Sequence, residues 1–228
     1  GWYFGLTALV LSVFWVLTIR MVADLVGARQ LDAFLVAASP IVIVHAFSNW
    51  DILSIFFAIG GLYAMAKRKP WIAGVMLGLG TAAKMWPLFL VGAFLVLAWR
   101  GRRWQPFIQA TVATILTWLA VNLPIMLLYP NAWKEFSRLN SERGWEWTTI
   151  YAMASRELGW SGFDSGDGAP EILNAFTLFA FLACCVGILI LGLKAPHTPR
   201  VAELVFLILV AFLIFNKVWS PQYLSLIH

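Results

Sequence analysis

Charged residues are scarce in this chain, and their scarcity excludes an ordinary soluble domain. Asp, Glu, Lys and Arg make up 12% of the 228 residues, about half their share in a typical globular protein. Hydrophobic residues reach 61%, and the mean hydropathy is +0.82. A soluble domain of this length has no room to bury so much apolar surface, whereas a bilayer accepts repeated apolar helices.

Cysteine, histidine and the short motifs of soluble enzymes are also rare or absent. The two cysteines, Cys184 and Cys185, are adjacent in an apolar run, where neighbours rarely form a disulfide. The three histidines, His45, His197 and His228, show no metal-ligand spacing. The chain contains no P-loop, GxGxxG, HExxH or GxSxG motif. A catalytic zinc site and an ATP-driven motor are therefore not supported, and we expect no metal and no cofactor.

Apolar runs predict an all-α polytopic membrane bundle, with one transmembrane domain over residues 1–228 and about eight membrane segments. The runs are Trp2–Ile19, Ala33–Phe47, Ile52–Ala66, Trp71–Ala83, Pro87–Trp99, Pro106–Leu128, Ile172–Leu193 and Val201–Phe215. A ninth is expected to begin near Pro221. The second to fifth are shorter than the ~20 residues that span a bilayer comfortably. We interpret them as short or partly re-entrant helices that line a cavity.

The basic residues predict the orientation of these segments. Alternate connections contain Arg20 and Arg29, then Lys67, Arg68 and Lys69, then Arg100, Arg102 and Arg103, then Lys194 and Arg200. Because short connections rich in Lys and Arg stay in the cytoplasm, these connections are expected there, with residue 1 at the outer face.

The predicted outer side differs in kind, because polar residues collect at its turns. They are His45, Asn49, Asp51, Lys84, Asn216, Lys217, Gln222 and Tyr223. A long outer loop covers about residues 129–171, and its spacing predicts amphipathic helices over Ala132–Asn140 and Trp145–Leu158. Polar residues at the ends of membrane helices are usually functional, although some only cap helices or face water.

Four cations are candidate ligands of a phosphate. Lys84 and Lys217 follow apolar stretches, and neither short motif contains a carboxylate. Arg138 and Arg143 offer two-pronged donors from the loop. The alternatives are snorkelling for Lys84 and ordinary salt bridges with Glu135, Glu142 or Glu146 for the arginines. Since two converging lysines repel unless an anion lies between them, we predict that Lys84 and Lys217 approach each other across an outer cavity, with Arg143 lowered towards them.

The motifs resemble those of a known family. They are Ser48-Asn49-Trp50-Asp51, Pro70 with Gly74-x-x-x-Gly78-x-Gly80-Thr81-Ala82-Ala83-Lys84-x-x-Pro87, Asn140-Ser141-x-Arg143-Gly144, and Asn216-Lys217-Val218-Trp219-Ser220-Pro221-Gln222-Tyr223. In this order the chain resembles the bacterial polyprenyl-phosphate-mannose-dependent mannosyltransferases of glycosyltransferase family 87, in the GT-C superfamily.

The resemblance implies a membrane hexosyltransferase of the plasma membrane with its active site at the outer face. It implies a polyprenyl-phosphate sugar donor, an envelope glycolipid or lipoglycan acceptor, and inversion at the anomeric carbon without a metal. The family's catalytic carboxylate lies in the first outer loop, which is expected before Gly1. This fragment is therefore expected to lack its general base, and Asp51 is a substrate-cavity residue rather than that base.

Two other functions fit the composition. A lipid-linked-sugar flippase or other secondary transporter shares a polar cavity within a membrane bundle, but it should show internal repeats and midplane polar residues. A non-catalytic assembly subunit predicts no clustering of polar residues. The chain shows no internal repeat, and its polar residues collect at one face, which favours the transferase.

The orientation can be tested with single cysteines in a background without Cys184 and Cys185. A cysteine in place of Gly166 should react with an impermeant thiol reagent on intact cells, and one in place of Gly101 should not, because of the positive charge bias. Labelling at Gly101 but not at Gly166 would reverse the orientation.

Overall fold

The structure, a computed structural model, describes residues 2–28, 30–40, 50–164 and 168–218. Every regular element in these ranges is helical, which confirms the all-α prediction. The elements are α1 (Trp2–Val26), α2 (Gln30–Ala37), α3 (Asp51–Ala66), α4 (Pro70–Ala83), a 3-10 helix (Trp86–Phe89), α5 (Leu90–Gly101), α6 (Trp104–Leu128), α7 (Pro130–Glu142), α8 (Ile150–Leu158), α9 (Glu171–Lys194) and α10 (Val201–Phe215).

Three helices are long and apolar enough to cross a membrane. They are α1, α6 and α9, with 25, 25 and 24 residues. At a rise of about 1.5 Å per residue each exceeds the ~30 Å of a hydrocarbon core. The helices α3, α4, α5 and α10 are apolar but shorter. The count of eight membrane segments stays a prediction, because residues 41–47 of the second segment and all of the expected ninth lie outside the described residues.

The described chain forms two compact units that meet within α6. The first unit ends at Asn122 and the second begins at Leu123. Pro124 lies inside the helix just beyond this limit, where it has no N–H to donate to the carbonyl four residues earlier. Asn122 donates its side-chain amide to the Trp118 carbonyl at 3.0 Å. The prediction of a single transmembrane domain is not tested by this division.

In the first unit, α3 packs against both α1 and α4. Leu11 of α1 and Ile52 of α3 are buried against each other, and the rings of Phe14 and Phe56 lie 4.9 Å apart. On the other side of the α3–α4 hairpin, the glycines of α4 permit close approach to α6. A Cβ at Gly78 would lie 2.6 Å from the Thr117 Cβ. Glycine at this position therefore sets the distance between α4 and α6.

Four hydroxyl groups within the apolar helices bond to the backbone of their own helix. Each donates to the carbonyl four residues earlier, which satisfies the hydroxyl where no water is present. The pairs are Ser12 with Ala8, Thr18 with Phe14, Thr81 with Leu77, and Thr114 with Ala110. These residues therefore fit an apolar surrounding without a partner on a neighbouring helix.

The second unit contains both amphipathic helices predicted for the outer loop. α7 extends the predicted Ala132–Asn140 by a few residues at both ends. α8 begins at Ile150, five residues after the predicted start at Trp145. The reason is Thr149, whose extended backbone and side-chain oxygen cap the helix by accepting from the Ala152 N–H at 3.3 Å.

The Gly78 contact predicts a large loss of stability when a side chain is added. Gly78→Leu should force α4 and α6 apart and destabilise the protein by about 1–3 kcal/mol, the usual cost of overpacking. The measurement is the midpoint of thermal unfolding in detergent. Gly187→Leu in α9 is the matched control, because a Cβ there has no neighbour within 4 Å. Equal midpoints for the two variants would contradict the close approach.

Candidate functional site

The first unit places an ion pair at one end of the α3–α4 hairpin. Asp51 is the first residue of α3, and Lys84 follows the last residue of α4 with an extended backbone. The Lys84 ammonium and the Asp51 carboxylate form a salt bridge, in which the Asp51 side chain is 5% exposed and the Lys84 side chain 33%. Asp51 and Lys84 thus lie at the same end of the hairpin, as the segment count predicts.

The surroundings of this pair favour two opposite charges side by side. A carboxylate in the first turn of a helix is favoured by the dipole of that helix, and the adjacent ammonium offsets the cost of burying it. α4 ends at Ala83, and Pro87 could not extend it, because proline has no N–H to donate to the Ala83 carbonyl four residues earlier. Two buried donors near the pair along the chain, the Ser54 hydroxyl and the Trp86 indole N–H, have no hydrogen-bond partner within the described residues.

Sequence reasoning missed the partner of Lys84. Neither lysine motif contains a carboxylate, but the fold brings Asp51 to Lys84 from a turn 33 residues earlier. No periodic pattern connects these two residues. Only the topology could have predicted this ion pair, because the antiparallel α3–α4 hairpin brings the start of α3 beside the end of α4.

In the second unit, Lys217 is the centre of a buried polar cluster. Its ammonium donates to the Asn140 carbonyl at 2.7 Å, and also to the Arg143 carbonyl and the Asn174 side-chain oxygen. Lys217 is 8% exposed. An ammonium has three N–H donors, so three acceptors use all of them. Direct contact with a phosphate would require one of these bonds to break.

This cluster fixes the carboxyl end of α7. Asn140 lies in the last turn of that helix, where carbonyls lack intrahelical donors and a cation is favoured. Asn174 bonds Lys217 with its oxygen and donates its amide to the Ser141 carbonyl at 2.8 Å. Sequence reasoning missed Asn174, although an amide in the first turns of an otherwise apolar span is a usable signal.

Burial affects the protonation of two groups at this position. Burial lowers the pKa of the Lys217 ammonium, the charge of Arg143 lowers it further, and Asp164 acts in the opposite direction. Burial raises the pKa of Tyr151 to about 12. The Tyr151 hydroxyl therefore keeps its proton and donates it to the Phe215 carbonyl at 2.7 Å, which joins α8 to the end of α10.

The two loop arginines are held by nearby carboxylates. Arg138 bonds Glu135 and Glu142 on the surface of α7, and Arg143 bonds Glu146 at 2.7 Å. The Arg138 bond lowers the pKa of Glu135. Both arginines remain about half exposed. Phosphate binding by Lys84, Lys217, Arg138 and Arg143 stays a prediction, as does the approach of Lys84 to Lys217, since the two lysines lie in different units.

Aromatic rings pack the rest of the outer loop. Trp145 stacks on Trp160 at 5.4 Å, and Trp160 meets Phe163 edge-on at 4.7 Å. Gly162 has φ +105, and a Cβ there would collide with the Trp145 ring. The Asp164 carboxylate then accepts the first free N–H groups of α9, those of Ile172 and Leu173. The described part of the loop, from Trp145 to Asp164, therefore packs on itself and on the start of α9.

The remaining predicted cavity residues are only partly visible. Asn216 ends α10, and its side-chain oxygen accepts from the Val218 N–H at 3.3 Å. His45, Asn49, Gln222 and Tyr223 lie outside the described residues. Among the described residues no three His, Cys, Asp or Glu side chains are grouped as metal ligands would be. Metal independence stays a prediction.

The Lys217 cluster predicts that loss of the ammonium loosens the loop. Lys217→Met leaves three acceptors without a donor and should destabilise the protein by about 1–3 kcal/mol. A spin label on a cysteine at Gly144, where a Cβ has no neighbour within 4 Å, should show a more mobile spectrum in this variant. Lys134→Met on the exposed face of α7 is the control. An unchanged spectrum for Lys217→Met would contradict the cluster.

Comparison with known proteins gives one match. The model of the family described as "Glycosyltransferase family 87" matches residues 1–221. No curated protein and no solved structure matches the chain significantly.

Proposed function

The chain belongs to glycosyltransferase family 87, and we propose on this premise that it transfers a sugar from a polyprenyl-phosphate donor. We propose mannose as the sugar and an envelope glycolipid or lipoglycan as the acceptor. Transfer would occur at the outer face of a bacterial plasma membrane, with inversion and without a metal. Family membership and the long apolar helices make the protein a membrane glycosyltransferase. The identities of donor, sugar and acceptor are the proposal.

The Asp51–Lys84 pair is the observation that carries this proposal. It is a partly accessible cation at the end of two apolar helices, where the phosphate of a lipid carrier would lie. Without a donor, the Lys84 ammonium is paired with the Asp51 carboxylate. A donor phosphate would compete with Asp51 for the ammonium, since both are oxyanions. The pair would thus hold the Lys84 side chain in place until the donor binds.

The proposed reaction balances without a cofactor. An acceptor hydroxyl oxygen attacks the anomeric carbon as the bond from that carbon to the phosphate oxygen breaks. The hydroxyl proton goes to a carboxylate that acts as the general base. The leaving group is polyprenyl phosphate, and a fixed cation stabilises the negative charge that builds on it. Lys84 is our candidate for that cation.

The loop residues have the supporting part in this proposal. We propose Arg143 and Arg138 as further donor phosphate ligands that would exchange their glutamate partners for the phosphate. We also propose Lys217 as a residue of the donor phosphate site. Its three hydrogen bonds favour a role in fixing the loop after α7 over direct contact with the phosphate. His45, Asn49, Asp51, Asn216, Gln222 and Tyr223 are proposed to line the substrate cavity.

Transfer by the full-length protein tests the proposal. Purified protein in liposomes should move labelled mannose from polyprenyl phosphate to a glycolipid acceptor. In the same assay Lys84→Met should lower the rate and weaken donor binding by about ten- to a hundredfold, the loss expected for one charged hydrogen bond. Asp51→Asn, which removes the competing carboxylate, should bind the donor at least as tightly as the wild type.

Lys69→Met is the matched control, because it removes a lysine from the opposite end of α4. Normal transfer by Lys84→Met would make Lys84 a snorkelling residue. Equal losses of donor binding in Lys84→Met and Asp51→Asn would make the pair purely structural. Movement of the lipid-linked sugar across the bilayer without transfer would identify a transporter instead.

A further inference from the structure

A cavity of about 540 Å³ lies in the first unit, at the end of α3 opposite Asp51. Met65 lines it, and Met65 is 14 residues along α3 from Asp51. At about 1.5 Å per residue, this cavity is about 21 Å from the Asp51–Lys84 pair. Its polar lining consists of Arg68, Arg103, Gln105 and Gln109, and its apolar lining includes Phe94 and Phe107. The cavity is therefore separate from the site proposed for transfer.

Arginine occupies a strained backbone position beside this cavity. Arg68 follows α3 with φ +58, and the next N–H, of Lys69, bonds the Ala64 carbonyl at 2.9 Å. This helix ending normally uses glycine, because any side chain is strained there. Arg102 ends α5 in the same way, with φ +51, but does not line the cavity. The backbone strain is thus common to both helix ends, and what distinguishes Arg68 is its place in the lining of the cavity.

The positive charge of the cavity has no protein counter-charge. The sequence contains no Asp or Glu between Asp51 and Glu135. Within the described residues neither Arg68 nor Arg103 forms an ion pair. The Asp24 carboxylate accepts a hydrogen bond from the Tyr63 hydroxyl at 3.0 Å. The two arginines therefore present donors to a ligand rather than to the protein.

Exposed tryptophans indicate that the turns beside this cavity lie at the headgroup level of a bilayer. Trp71, Trp99 and Trp104 are each between 40% and 51% exposed, and the rings of Trp99 and Trp104 lie 6.0 Å apart. Exposed tryptophans collect where lipid headgroups meet hydrocarbon. A ligand of this cavity is thus most easily supplied by the surrounding lipid.

We propose that this cavity binds the phosphate headgroup of an anionic phospholipid. The two guanidinium groups would donate to the phosphate oxygens, and Gln105 and Gln109 to the neighbouring hydroxyl or ester oxygens. The walls at Phe94 and Phe107 would contact the start of the acyl chains. A free phosphate ion shares this chemistry but would gain nothing from the aromatic walls.

The test is thermal unfolding of the full-length protein in detergent, with and without added phosphatidylglycerol. Phosphatidylglycerol should raise the wild-type midpoint by roughly 2–4 °C. Phosphatidylcholine and inorganic phosphate, added separately, should not. Arg68→Gly and Arg103→Gln should lose the response. Arg102→Gly should keep it, because this change relieves the same backbone strain without touching the cavity.

Native mass spectrometry provides an independent measurement, with retained phosphatidylglycerol expected in the wild type and in Arg102→Gly only. Equal loss of lipid in Arg102→Gly and Arg68→Gly would show attraction by general charge and overturn the site. Stabilisation by inorganic phosphate alone would show that the cavity binds a free ion, and it would overturn the proposal of a phospholipid ligand. None of these measurements depends on the sugar, the donor or the transfer reaction.

Discussion

Hydrocarbon offers no hydrogen-bond partner, and this constraint decides where polar groups lie in the protein. Each buried backbone group must bond within its own helix, and a hydroxyl in an apolar run can donate to the carbonyl one turn earlier. Thr18 and Thr114 show this arrangement. The groups left for recognition and chemistry are those at the helix ends and in the loop, where Asp51, Lys84 and Lys217 lie.

The two lysines show two ways of stabilising an ammonium near a membrane. Lys84 pairs with a carboxylate and is one-third exposed, so its ammonium is partly accessible. Lys217 is nearly buried and its three donors are used by neutral oxygens, two of which belong to the backbone. Such bonds change only when the backbone moves. The first arrangement suits exchange with a substrate, and the second suits a permanent connection between distant segments.

Much of the secondary structure follows from local sequence pattern, but the pairing of residues distant in the chain does not. Apolar runs predicted α3, α4, α6, α9 and α10 within two residues, and three-residue spacing predicted α7. α1 continues seven residues beyond the predicted end at Ile19, so Arg20 lies in the helix rather than in a connection. α8 starts late because one threonine caps it, a local effect that periodicity does not record. The partners of Lys84 and Lys217 lie 33 and up to 77 residues away, so only the tertiary fold brings them together. The left-handed backbone at Arg68 was equally hidden, because glycine is the usual residue there.

The distance along the chain between Lys217 and α7 has a consequence for biosynthesis. Its ammonium meets the Asn140 carbonyl across 77 residues, and α9 and α10 lie between them. At about 5–20 residues per second, a ribosome needs roughly 4–15 seconds to make this stretch. During that interval the carboxyl end of α7 has been synthesised, but the Lys217 ammonium that binds its last carbonyls has not. The loop that follows α7 therefore acquires its final form late, after α10 has been synthesised.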